Sequence, residues 1–284
     1  MAGFPSGASK KDPIGAIRLV HEKGLDCLEL EFAHGLRMKD DTAEEINRIA
    51  KKLGVTLTAH APYYINLNAK EQDKIDASIN RLLQTARLAG MCGAFSMTFH
   101  AAFYMKDDPR TVFDIVKRYL HQITERLKDE ENTIQLRPEL TGRKSQFGSL
   151  EELCALSKEV PQVYPCLDFT HIQSETGKAA DAMNNLAFFS EVFERHKKAL
   201  GKASLAEVHM HVGSAAQGPK GESKPIALAE STFNYKDFLK ACRDFGVRGS
   251  VICEGPAQES DALTLKKTWE QLATMKSGKT KKAS

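Results

Sequence analysis

The sequence predicts an α/β chain folded as a single (β/α)₈ barrel with a shortened first strand. Three observations point there. Short strand-like runs alternate with amphipathic helical stretches along the whole length. No change of composition marks a linker between two domains. No GxGxxG turn follows any strand, so the nucleotide signature of the rival architecture, an open doubly wound sheet, is missing.

The elements can be taken in order. "MAGFP" supplies the stunted first strand, and seven fuller runs follow. They are "LDCLELEF" (25–32), "TLTAHAPY" (56–63), "AFSMTFHA" (94–101), "TIQLRPEL" (133–140), "VYPCLDFTH" (163–171), "LAEVHMHV" (205–212) and "GSVICEGP" (249–256). Each is rich in β-branched or aromatic residues. The intervening stretches carry apolar residues at three- and four-residue spacing. "TAEEINRIAKKLG" (42–54) has Thr42 as an expected cap, early acids, late lysines and a glycine stop. "DKIDASINRLLQTARLAG" and "TVFDIVKRYLHQITERLKDE" repeat the pattern, and "SLEELCALSKEV" opens on a serine cap. The barrel is expected over residues 1–275, with 276–284, ending "KTKKAS", as a basic disordered tail.

Composition narrows the function classes. Of 284 residues, 42% are apolar and 27% charged, ordinary for a soluble globular protein. No run approaches the ~20 apolar residues of a membrane span, and the start has no signal-like apolar stretch. A net charge of +3 and a pI near 8.4 permit an anionic partner without requiring one. The six cysteines form no CxxC pair, so reduced thiols and a cytoplasmic location are expected, nucleoid-associated if the chain repairs DNA.

In a parallel barrel, catalytic groups sit at the C-terminal ends of the strands. Here the visible strands end on His60, His100, Glu139, Asp168, the pair His209/His211, and Glu254. A lone strand-end histidine is more often structural than a ligand. Buried carboxylates are costly without a partner, however, and together these residues make an imidazole–carboxylate set suited to zinc, manganese or iron(II). Side-chain alternation puts His209 and His211 on one face and does not choose between them. It turns Cys253 away from Ile252, as a packing residue. Asp168 and His171 cannot share a strand face, so His171 belongs on the segment after the strand, able to fold back over the site.

At these positions the sequence resembles the endonuclease IV family of the xylose-isomerase-like TIM-barrel superfamily. The likeness rests on "HAPYYINL", the histidine of "TFHAA", "RPELTGR", "CLDFTH", "HMHVGS" and "CEGP", in that order over about residues 15–256. It implies a metal-dependent phosphodiesterase that cuts DNA 5′ to abasic sites in base excision repair, usually with zinc, as a monomer on double-stranded DNA. It implies His60 and His100 on one metal, Glu139 bridging to a second, and Asp168, His209 and Glu254 completing the second, with His211 the fallback. His171 would serve a third metal. Glu139 and Glu254 would orient the nucleophile, and Tyr63 would stand near the DNA. Arg37, Arg143 and Lys144, in loops after strands, are expected to meet phosphates, as are Lys39, Lys220 and Lys224.

The sequence also departs from that family. Where the family carries an Asp-x-His pair for its third metal, "VGSAAQGPKGESKPIAL" (212–228) has no histidine, and Glu222 and Lys224 fall at the matching spacing. Two metal ions, Zn²⁺ first and Mn²⁺ second, are therefore expected, with the third site absent or rebuilt from Glu222. Two alternatives follow. One is a divalent-metal sugar isomerase or epimerase using Glu139, Asp168, His209 and Glu254. The other is a metal-stabilised DNA-binding protein without turnover.

Overall fold

Among the described residues, the alternation in the sequence becomes seven parallel strands separated by helices. The strands are β1 (Cys27–Glu31), β2 (Thr56–His60), β3 (Ser96–Phe99), β4 (Gln135–Pro138), β5 (Cys166–Asp168), β6 (Val208–Val212) and β7 (Gly249–Cys253). The helices are α1 (Pro13–Glu22), α2 (Asp40–Leu53), α3 (Gln72–Met91), α4 (Pro109–Asp129), α5 (Leu150–Glu159), α6 (Leu186–Leu200), α7 (Tyr235–Phe245) and α8 (Glu259–Thr280). This computed structural model describes residues 1–9, 12–32, 38–171, 184–213, 215–217 and 223–280. Among them, no helix is long and apolar enough to cross a membrane.

The strands form two hydrogen-bonded ladders, β1-β2-β3-β4 and β7-β6-β5. Parallel bridges at Leu136–Val163 and Glu139–Cys166 link β4 to the chain at β5. On the opposite side the first three residues join β1 to β7. Glu29 N–H donates to the Met1 carbonyl at 2.9 Å, Gly3 N–H to the Glu29 carbonyl at 3.1 Å, and Ala2 N–H to the Cys253 carbonyl at 3.1 Å. The shortened first strand is thus a stub, hydrogen-bonded on both edges, with Met1 buried. Its brevity is tolerated because both neighbouring strands still find partners for their backbone groups there.

Local signals mostly behave as the sequence indicates. Ser149 and Glu152 form a capping box at the start of α5. Gly54 ends α2 in the left-handed region at φ 68°. The start of α2 differs: the helix begins at Asp40, not after Thr42, and Lys39 at its N-cap makes no side-chain capping bond. Asp40 and Asp41 supply negative charge to the first turn instead. At the C-terminus, α8 runs to Thr280, through the beginning of the stretch assigned to the tail. All six cysteines are free thiols.

Gly148 shapes the rim. Its φ is +139°, and a Cβ there would stand 2.7 Å from the Glu139 carbonyl oxygen and 2.7 Å from Thr141 Cγ2. Only glycine lets the turn over 141–148 fold back against the end of β4.

The stub makes a testable claim. Ala2→Pro removes the donor to Cys253 and should lower unfolding stability in urea by about 1–3 kcal/mol. Unchanged stability would mean that these residues do not act as a stave.

Candidate metal centre

The C-terminal ends of the strands bring their polar side chains together. His60 is the last residue of β2, and His100 follows β3. Glu139 follows β4, Asp168 ends β5, His211 lies in β6, and Glu254 follows β7. Glu139 is central. Its Oε2 lies 3.5 Å from His60 Nε2 and 3.5 Å from His100 Nε2. Its Oε1 lies 3.3 Å from His211 Nδ1. The ligand atoms of His60, His100 and Glu139 all fall within 4.8 Å of one another. So do those of Glu139, Asp168, His211 and Glu254. Glu139 belongs to both groups.

The donor set fits divalent cations. Among the described residues, Glu139 Oε2, Asp168 Oδ2 and His100 Nδ1 are buried without a hydrogen-bond partner. Orphaned carboxylate oxygens in a barrel interior are expensive, and a cation is the natural compensation. His60 is already oriented for one. Its Nδ1 donates to the Ala61 carbonyl at 2.7 Å, which leaves Nε2 facing Glu139.

His171 does fold back over the site, from a helical turn directly after β5. Its backbone N–H donates to Asp168 Oδ1 at 2.7 Å. Its Nδ1 donates to the Leu140 carbonyl at 3.1 Å and lies 3.3 Å from Asp168 Oδ2. Tyr63 is exposed on the rim, its ring 5.6 Å from that of His60. Arg143, Lys144 and Lys39 are in rim segments, with the Arg143 N–H donating to Thr141 Oγ1 at 3.1 Å. Arg37, Lys220 and Glu222 lie outside the described residues, as does the side chain of Lys224.

The choice between the two β6 histidines reverses the one the resemblance implies. His209 and His211 share the inward face, as alternation requires, but only His211 reaches the group of Glu139, Asp168 and Glu254. His209 sits one layer deeper. Its Nε2 lies 2.8 Å from Glu29 Oε2, and its Nδ1 is hydrogen-bonded with Ser96 Oγ at 3.0 Å. Sequence reasoning also passes over two acids of β1, Glu29 within the strand and Glu31 at its end. Glu29 is fully buried beneath the rim, and Glu31 lies beside His60 in the β1–β2 register. The signal is present in "CLELE": two acids spaced two apart in an apolar strand place two carboxylates on one face.

Burial and neighbouring charge set the protonation pattern. Burial opposes ionisation of Glu139, yet His100, His211 and His60 hold its carboxyl well below the usual range. Burial lifts Asp168 to about 8 and Glu31 to about 7. Burial opposes the charge on His60 too, but Glu139 facing it raises the imidazole to about 10. For His209 burial prevails, and the ring falls to about 4 and is neutral. Burial also works against His211, but the acidic groups around it, Cys166, Glu254, Glu29 and Glu139, raise it well above the ordinary value. Without metal, protonated imidazoles therefore carry the positive charge that the carboxylates need.

Residues 17–275 match the family described as xylose isomerase-like TIM barrel. This chain belongs to that family. A protein of Methanocaldococcus jannaschii described as uncharacterised is 35% identical over 271 residues, covering 95% of this chain and 96% of that one. Endonuclease IV from Thermus thermophilus superposes with a TM-score of 0.69 at 18% identity, covering 95% and 98% of the two chains. A D-tagatose 3-epimerase-like protein superposes equally well, at 0.70 and 14% identity, covering 93% and 94%. At these identities the two structures establish the shared fold.

The protonation pattern carries a pH dependence. Asp168 rises from 3.8 to about 8 on folding, and His60 from 6.5 to about 10. Both bind more protons when folded, and their windows overlap between pH 6.5 and 8. Stability of the metal-free protein should therefore fall as pH rises through that interval. Thermal melting in excess chelator at the two ends of the interval checks the sign, and a rising Tm would reject it. Metal uptake should release protons over the same range.

Proposed function

We propose that this chain is a dinuclear metal-dependent phosphodiesterase of the endonuclease IV type, acting on DNA at abasic sites. The observation that carries the reading is Glu139, whose two oxygens face two different ligand groups. His60 and His100 stand on one side, and Asp168, His211 and Glu254 on the other. A carboxylate between two such sets suits a bridging role. Bound divalent cations, zinc first and manganese second, would stabilise the charge of an in-line displacement at phosphorus and acidify the attacking water.

The protein's own contribution is positioning. His60 presents Nε2 because its Nδ1 is committed to Ala61. Glu254 is the most solvent-accessible acid of the cluster, its side chain 32% exposed, and is placed to orient a water or substrate oxygen. Tyr63 offers an aromatic face at the mouth, where a nucleotide swung out of the duplex would arrive. Arg143 and Lys144 lie on the rim turn that Gly148 folds, in reach of a phosphate backbone. Such a protein would encounter abasic double-stranded DNA as its partner and work as a monomer in the cytoplasm or nucleoid.

A second reading keeps a specific observation. Glu139, Asp168, His211 and Glu254 form a complete two-glutamate, aspartate and histidine set by themselves. That is the ligand pattern of a single-metal sugar epimerase, with His60 and His100 left to meet substrate hydroxyls.

Metal analysis and an incision assay on an abasic duplex separate these readings. Wild type should hold two ions, and a combined His60→Ala and His100→Ala substitution should reduce the count to one. The epimerase reading expects one ion in both. Glu139→Gln should cut incision by at least about 10²-fold while circular dichroism stays native. Absence of incision by wild type under every divalent metal, with a ketose turned over instead, would transfer support to the epimerase. Salt-dependent binding of the duplex with no turnover would leave a binding protein.

A further inference from the structure

We propose that Glu29 is a positioning residue for His211, holding the Nε2 side of the ring so that Nδ1 is the nitrogen offered to a cation at the rim. The inference rests on the metal-centre reading above and goes beyond it, because Glu29 lies outside both ligand groups.

His211 spans two layers of the barrel. On the rim side, Nδ1 lies 3.1 Å from Glu254 Oε1 and 3.3 Å from Glu139 Oε1. On the inner side, Nε2 lies 3.1 Å from Glu29 Oε1. Both atoms of that inner contact are buried, and neither has a hydrogen-bond partner elsewhere among the described residues. The carboxylate oxygen and the ring nitrogen therefore face each other across a short buried gap, with the Cys166 thiol also beside the two β6 histidines. A histidine ligand usually gives its second ring nitrogen to a carboxylate, which sets the ring's orientation and strengthens it as a donor.

Glu29 is itself held in place. Its Oε2 accepts from Thr58 Oγ1 at 2.8 Å and lies 2.8 Å from His209 Nε2. His209 is in turn hydrogen-bonded with Ser96 through Nδ1. None of Glu29, Thr58, Ser96, His209 and His211 is exposed to solvent. Thr58 and His209 occupy one carboxylate oxygen, and the other is left for His211. This arrangement also accounts for the second histidine of "HMHV": His209 fixes the carboxylate that fixes the ligand.

The test compares wild type and Glu29→Gln by zinc titration against a chromogenic chelator, with ¹⁵N NMR of histidine-labelled protein. In zinc-loaded wild type, His211 should show Nδ1 metallated and Nε2 protonated. Zinc affinity should fall about 10–100-fold in a folded Glu29→Gln protein. Wild type with zinc on Nε2 of His211, or a folded variant with unchanged affinity, would overturn the inference while leaving the metal centre standing. If Glu29→Gln does not fold, the wild-type spectrum decides alone. No zinc-dependent change in any histidine signal would reject the metal centre itself, and this inference with it.

Discussion

The arrangement depends on one constraint: carboxylates buried in a barrel must be neutralised where they stand. Glu29, Glu139 and Asp168 are all essentially inaccessible to water. An unpaired ionised group in such a place costs several kcal/mol, a large share of a domain's net stability of roughly 5–15 kcal/mol. Each therefore sits against imidazoles, or gives up its charge, as the raised Asp168 carboxyl does. The same geometry that makes the cluster tolerable without metal makes it receptive to cations, since a divalent ion can replace the protons.

The polar interior is layered. At the rim, Glu139 collects histidines from β2, the end of β3 and β6, Glu254 reaches in to His211 from the solvent-bordering side, and Tyr63 is exposed. Beneath lies the Glu29–Thr58–His209–Ser96 group, closed to solvent. Lower still, Arg137 is pinned to the carbonyls of Pro165 and Glu207 and packs over Tyr164, so its charge is spent away from the rim. Packing on and directly after the strands keeps these rings and carboxylates in register. Such rigidity suits a centre that must be ready before its ligand arrives.

Much of this is legible in the residues alone. His60, His100, Glu139, Asp168 and Glu254 stand out because each ends or follows an apolar strand run, where a parallel barrel exposes its chemistry. Counting positions places His171 on the returning segment. The missing eighth run implies a stub strand, and the stub lies between β1 and β7. Other features are hidden at that level. The start of α2 falls at Asp40, where two acids in the first turn complement the helix dipole without a side-chain cap. Glu29 lies two residues inside β1, so a search confined to strand ends passes it by, although its two-residue spacing from Glu31, which ends the strand, already sets both on one face.

Residue type and period settle what local chemistry can settle: the order of strands and helices, the inward parity of β6, and an imidazole–carboxylate inventory at one end of the barrel. They cannot say which of His209 and His211 joins Glu139. That choice turns on how far β6 is shifted along the barrel relative to β1 and β4, and the shift is fixed by backbone pairing between segments far apart in the chain. The same holds for the partnership of Met1 with Glu29 and of Ala2 with Cys253. Side-chain direction is written within a strand, but depth along the axis is shared among all of them, so it emerges only when the staves are assembled.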